Sequence, residues 1–331
     1  MLTLRFARRQ DQAEILNFIN THWRLGHIFA RWEALFVWQH HDGDAINFVL
    51  AEWKARLVGI LGFIPHKRFD PVLPFDVIST ALWSASDAAP PGTGVRMIRF
   101  LADEKKPDLA IAIGLTEKAA QLKRALGYRV EPMSHFFLPN PFAGRAIAQN
   151  LPEPKRGGAT ELGDFGGSLS SWRDYQPPKS ETYLQNRYTN HPAYHYDFVR
   201  GVDPDKPFVL VVRRISAKGS AMARIVDFFG DPSSLPTAIR PLKELMETFN
   251  LEYVDFVHYG FPQAVLERCG FLDRDDFPNC ILPGHFEPFE PRNVFLSCAF
   301  KSFQRTMPTV CLVRGDGDQD RPNQIPGESS F

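Results

Sequence analysis

Charge of one sign, long apolar runs and paired cysteines are what this sequence lacks. Its 331 residues carry 38 basic and 38 acidic side chains. With no cationic surplus it does not read as a general nucleic-acid binder, because phosphate backbones are held largely by an excess of Lys and Arg. No stretch is apolar for long enough to cross a bilayer, so no membrane insertion is expected. The N-terminus, MLTLRFARRQDQAEILNFIN, sets Arg5, Arg8, Arg9, Asp11 and Glu14 where a signal peptide would have its apolar segment, which points to a cytoplasmic location. Cysteine is sparse too. Cys269, Cys280, Cys298 and Cys311 all fall in the last quarter, without C-x-x-C spacing. That pattern supports neither a zinc site nor a disulfide framework and predicts reduced thiols, some of them small core residues.

What the chain does have is 44% hydrophobic residues and a length that suits two domains, each with its own core. LTLRF (2–6) reads as a strand. Asp11 and Glu14 have the spacing of a capping box, predicting a helix through about Thr21, and WEALFVWQ reads as a second, short helix. NFVLAEW (47–53) and RLVGILGFI (56–64) read as strands joined by a tight Lys54-Ala55 turn, and FDVISTALW (75–83) as another. Val95, Ile98, Leu101 and Ala102 recur at helical spacing. LAIAIGL (109–115) reads as a strand buried on both faces. Thr116 caps a further helix, with the stripe Ala119, Leu122 and Leu126, which Gly127 ends. SHFFLP (134–139) reads as the last strand of a mixed α/β half covering 1–140. Residues 141–180, rich in Pro, Gly and Ser, read as a connection. The remainder, 181–331, holds an echo: LEYVDFVHYGFPQAVLERCGF (251–271) repeats the plan of LAIAIGLTEKAAQLKRALGY (109–128), and an amphipathic helix precedes each. The expected fold class is therefore α/β with two related domains in tandem.

APPGTGVRMIRFLADEKK (89–106) sets Gly92 and Gly94 directly before a helix that follows a strand. A helix N-terminus offers unpaired N–H groups and the positive end of the dipole to a phosphate. Glycine lets the ligand approach the backbone. The plain alternative is a β-to-α turn, and a lone G-x-G does not decide between them.

The order of elements around this loop, over residues 2 to 140, resembles the GNAT superfamily of acyl-CoA N-acyltransferases. APPGTG stands where that family has Q/R-x-x-G-x-G/A, with Ala89 in the Gln/Arg place, and TEKAAQLKRALGY is similar to its pantetheine-side helix. The resemblance implies acetyl-CoA or another acyl-CoA as co-substrate and no metal. Leu82 and Trp83 would contact it along the strand, and Pro91, Gly92, Thr93, Gly94, Val95 and Arg96 would form its pyrophosphate loop. The tyrosine that many members carry as general acid is Lys123 here, which reads as a solvent-facing lysine. His22 and His27 are candidate bases, set against the reading of each as a structural histidine among Trp23, Phe29 and Trp32.

THWRLGHIFARWEALFVWQH, TALW, TYLQNRYTNHPAYHY, GHFEPFEPRN and DGDQDRPN further resemble a group of bacterial GNAT-like proteins of lipopolysaccharide and capsular polysaccharide synthesis. That implies a tandem protein N-acylating an amino sugar, with one coenzyme site in the first half, since FGDPSSLPTAI lacks G-x-G. DGDQDRPN opens like a calcium loop, but Arg321 and Gly327 stand where an EF-hand needs Gly and Glu, so that reading is excluded. It reads as a solvated tail or, by the resemblance, as one folded over the acceptor, with Asp318, Asp320 and Arg321 binding sugar or phosphate. HPAYHYDFV (191–199) reads as aromatic packing, and Glu287 and Glu290 have no assigned role. Two rival functions remain at this point: a non-catalytic binding or assembly protein, and a transferase using aminoacyl-tRNA, which neutral charge disfavours.

Overall fold

The computed structural model describes residues 1–153, 175–284 and 290–325; Glu287 and most of the expected connection lie outside them. The apolar runs form β1 (Thr3–Arg8), β2 (Ala45–Trp53), β3 (Arg56–Pro65), β4 (Val77–Ala85), β5 (Leu109–Ile113), β6 (Arg129–Pro132) and β7 (Ser134–Pro139). Later in the chain come β8 (Asp197–Arg200), β9 (Phe208–Ala217), β10 (Ser220–Gly230), β11 (Leu251–Tyr259), β12 (Leu272–Asp273), β13 (Ser297–Ser302) and β14 (Leu312–Val313). The principal helices are α1 (Gln12–Phe18), α2 (Glu33–His40), α3 (Thr93–Lys105), α4 (Glu117–Ala125), α5 (Leu235–Thr248) and α6 (Gln263–Arg268).

These strands make two sheets of the same plan. The first runs β1-β2-β3-β4-β5-β13-β6 and the second β8-β9-β10-β11-β7-β12. In each, one parallel pair, β4/β5 or β10/β11, is reached through a helix, α3 or α5. The remaining neighbours along both paths are antiparallel.

One expectation is corrected here. SHFFLP does not finish the first sheet. β7 crosses to the second, where Phe136 lies opposite Phe256 and Phe137 opposite Leu272. The matching slot of the first sheet is filled from the far end of the chain by β13, with Ala299 between Ala112 and Val130. Local geometry favours the exchange: only Met133 separates β6 from β7, and antiparallel neighbours need a turn of at least about two residues. β7 therefore cannot fold back beside β6.

On one face of the first sheet α3 buries Met97, Ile98 and Leu101 against Val49, Leu61 and Ala110. On the other, Ile15 and Phe18 of α1 pack with Phe29, Phe36, Phe48 and Leu50. Asp11 stands before α1 but does not cap it. Its carboxylate accepts from Arg5 at 2.7 and 2.9 Å and from the Arg8 N–H at 2.7 Å, fastening β1. Thr116 does cap α4, accepting from the Ala119 N–H at 3.3 Å. The four cysteines are buried and free. Among the described residues no helix is long and apolar enough to cross a membrane.

Candidate active site

β4 and β5 share a ladder only as far as Ser79 opposite Ile111, then part. Just beyond this fork β4 carries a bulge: Ala81 lies opposite Gly62 and Trp83 opposite Leu61, leaving Leu82 facing no partner at φ +46°. That is a left-handed conformation which costs a non-glycine residue free energy. Because of the extra residue, Ala81 and Leu82 both pack on the α1 side, while Trp83 returns to the α3 side. The bulge thus leaves backbone groups out of the ladder at the point where the strands open.

The chain then reverses into α3. Gly92 precedes the helix at φ +79°, and a Cβ there would meet nothing within 4 Å, so its face is open. Gly94 is needed for another reason: a Cβ would lie 3.0 Å from the Trp83 indole, whose Nε1–H donates to the Gly94 carbonyl at 3.2 Å. Thr93 N–H bonds to Pro90 O at 3.2 Å, and the first helical bond runs from Arg96 N–H to Gly92 O at 3.0 Å. The amides of Gly92, Gly94 and Val95 are left at the mouth of the helix without a carbonyl one turn back. Gly94 thus does more than make a turn, since it lets the Trp83 indole approach the helix.

This mouth opens into a cleft of about 510 Å³, whose walls are Trp83 to Asp87, the loop and first turn of α3, and Thr116, Lys118, Ala119 and Leu122 of α4. The equivalent fork in the second half is filled. β14 pairs there with the end of β11, Val313 opposite His258 and Leu312 opposite Tyr259. Lys179 lies under Phe228, bonded to Asp227 and 3.1 Å from Asp316. About 40 Å³ remains, lined by Tyr175, Pro177 to Lys179, Phe228 to Gly230 and Cys311.

The backbone as a whole is similar to that of a GCN5-related N-acetyltransferase from Anabaena variabilis, covering 92% of this chain and 73% of that one with a TM-score of 0.56 and 10% identity. The fold is that of the GNAT proteins. An acetyltransferase structure from Pyrococcus horikoshii is similar over 92% of this chain and 90% of its own, at TM-score 0.47 and 9% identity. No protein-family model and no curated protein matches the sequence.

Within this GNAT fold Trp83, Gly92, Thr93, Gly94 and Val95 line this cleft, with Leu82 buried beside it. Pro91 and Arg96 are exposed at its lip. His22 lies on the wide turn Ile19–Trp23, exposed, its ring 4.6 Å from that of Phe18 and its carbonyl 3.5 Å from Ser84 Oγ, at the rim. His27 is buried. Its Nδ1 accepts from the Phe29 N–H at 3.3 Å, and its Nε2 has no partner among the described residues. Burial, with Arg321 and Arg24 nearby, pulls its pKa down to about 3, so it is a neutral but weak base.

The C-terminal tail passes from the second fork to the first. Gly317 sits where a Cβ would be 3.3 Å from Ser79 Oγ and 3.5 Å from Ile113 Cβ, and Gln319 Nε2 donates to Ile113 O at 3.1 Å. Arg321 bonds Asp318 at 3.3 Å and lies 5.7 Å over Phe29, on the His27 side. Asp320 is committed elsewhere, to Arg213 at 2.8 Å and the Tyr196 hydroxyl at 2.9 Å. His191 stacks on Tyr194 and abuts Trp38, the packing role expected for that motif.

Lys123 overturns its sequence reading as a solvated residue. It points inward, 1% exposed, and its Nζ donates to Thr80 Oγ1 at 3.1 Å. The Leu82 bulge also had no sequence signal of its own.

Proposed function

We propose that this chain is an N-acyltransferase using acetyl-CoA or another acyl-CoA as donor and an amine as acceptor. The observation that carries this reading is the open cleft in which the amide-lined mouth of α3 and the bulged, forking β4 are continuous. Three N–H groups at the positive end of a helix suit a pyrophosphate. The unpaired backbone at Leu82 is placed to receive a thioester carbonyl, where a donor aimed at developing negative charge lowers the barrier to amine attack. The filled second fork supports one coenzyme per chain.

For the acceptor we infer an amino group on a nucleotide sugar or related precursor of surface polysaccharide. That finer reading is supported by the resemblance of the whole sequence, with Asp318 and Arg321 beside His27 as polar groups on the acceptor side.

Calorimetric titration with acetyl-CoA and free coenzyme A is the direct test. Micromolar binding at one site per chain is expected, and the pair Gly92→Asp and Gly94→Asp should abolish it by placing carboxylates where phosphates would lie. Unchanged affinity in that variant would remove the site assignment. Thiol release from acetyl-CoA across a panel of nucleotide amino sugars then tests the acceptor class.

A further inference from the structure

The second sheet carries buried charge that the acyl-CoA reading does not use. α5 packs on the face that bears Ala223, Ile225, Val254 and Phe256, so Arg224 and Asp255 alternate to the other face. There Arg224 of β10 lies opposite Asp255 of β11, both buried, and its Nε donates to Asp255 Oδ1 at 3.1 Å. His135 of β7 sets its Nε2 3.2 Å from the other oxygen of that carboxylate, and burial lowers its pKa, so it adds no charge at neutral pH. Arg213 of β9 pairs with Asp320 at 2.8 Å. Both guanidiniums thus have a carboxylate, as a charge taken out of water normally must.

Arg314 does not. It is 1% exposed, its Nε and Nη1 have no hydrogen-bond partner, and no carboxylate pairs with it among the described residues. It belongs to the same cluster, since Arg224, Asp255, Asp320 and Arg213 all act on its charge. Burial, and after it Arg224, brings its pKa from 12.5 to about 9, which leaves it a cation at neutral pH. Its backbone is fixed from both sides. Before it, β14 fastens Leu312 and Val313 to the end of β11. After it, a Cβ at Gly315 would collide with the Tyr188 hydroxyl and lie 2.8 Å from the Val226 carbonyl oxygen. The chain has no room to shift and carry the guanidinium out to water. Among the described residues, three guanidiniums in this cluster face two carboxylates.

We propose that a small monovalent anion, a halide or a carboxylate, binds in the second half beside the Arg314 guanidinium. Water would satisfy the two free N–H groups but leave the charge unpaired, whereas an anion answers both through charge-assisted hydrogen bonds. The class follows from the same count. One negative charge completes the cluster, and a dianion would bring a second charge to a site that already holds two carboxylates. The site stands apart from the first fork and does not rest on the acyl-CoA reading. Occupied, it ties the start of the C-terminal tail to β10 and β11 before the tail runs on to the first fork.

Thermal unfolding of the full chain at fixed ionic strength reads the site, with the bulky anion gluconate replaced stepwise by chloride, formate or sulfate. Chloride or formate is expected to raise the melting temperature saturably. At a hundredfold excess over its dissociation constant, a ligand that binds only the folded state shifts the folding equilibrium about a hundredfold. The tighter of the two tells whether a free inorganic ion or a carboxylate is the natural occupant. In Arg314→Met the response should vanish, and in gluconate that variant should be at least as stable as the native chain, because it buries no unpaired charge. A native chain indifferent to both monoanions overturns the proposal, as does a response that survives in Arg314→Met. An equal response to sulfate overturns the monovalent class. A variant far less stable than the native chain in gluconate would mean that Arg314 is satisfied within the protein, which overturns the site. Should Arg314→Met not fold, native crystals soaked in bromide decide. An anomalous peak within about 3.5 Å of an Arg314 guanidinium nitrogen is expected, and its absence there overturns the proposal.

Discussion

In the unfolded chain Lys123 has the ordinary lysine pKa of 10.5, and burial brings it to about 7 in the fold. Between those values the unfolded state binds the extra proton, so stability rises with pH across the window; the penalty is complete below pH 7 and gone above the unfolded value. Lys123→Met should therefore be more stable than the native chain at neutral pH, by about 1–4 kcal/mol, with the gain shrinking as pH approaches 10. Urea unfolding at the two pH values checks both sign and trend. A variant less stable at pH 7 would mean that the amine is held by favourable contacts. The sequence hid this residue because a lysine on an amphipathic helix is normally outside. The stripe Ala119, Leu122 and Leu126 is only half-buried, with Ala119 and Leu122 lining the cleft, whereas Ala120 and Lys123 are buried. Gly92 and Gly94 were legible, since positive φ and close approach leave few alternatives to glycine. The strain at Leu82 was not, because the bulge depends on register against β3, which leaves no mark on a single strand's composition.

At the scale of elements, the apolar runs and the Lys54-Ala55 turn were readable because each is decided locally; both turn residues have positive φ, as a tight hairpin requires. Partner choice was not readable. β7 and β13 are short apolar strands that fit either sheet by pattern, and the one-residue link at Met133 is the only local hint of where β7 goes. The exchange makes β13 a central strand of the sheet that carries the cleft, although it comes from the far end of the chain. Ala299→Pro removes a ladder hydrogen bond beside β5 or β6 and clashes within the sheet. The expected result is a loss of at least about 3 kcal/mol in stability together with weaker acetyl-CoA binding, measured by denaturant unfolding and calorimetry. Normal coenzyme affinity in a folded Ala299→Pro protein would show that the first sheet does not depend on its borrowed strand.

Over the whole molecule, the buried His27, His40, His66 and His258 and the half-buried His191 are neutral, with pKa values lowered from 6.5 to about 3, desolvation being the largest cause in each. The unfolded chain takes up protons at these sites as pH falls through 6.5 toward 3, and the fold does not, so stability drops across that window. By pH 5 the loss should be on the order of 1 kcal/mol per histidine, seen as a steep fall in melting temperature from pH 7. A flat profile would mean that these rings are solvated. They lie in both halves, so acid should loosen the molecule throughout and not at one end. The exchanged strands bear on how the protein comes into being. A ribosome delivers β5 and β6 long before β13, and at roughly 5–20 residues per second the gap between them stays open for on the order of ten seconds or more. Through that interval the nascent N-terminal half presents two unpaired strand edges and an unfilled core, a state in which chaperone holding, or mispairing with a neighbouring nascent chain, competes with completion.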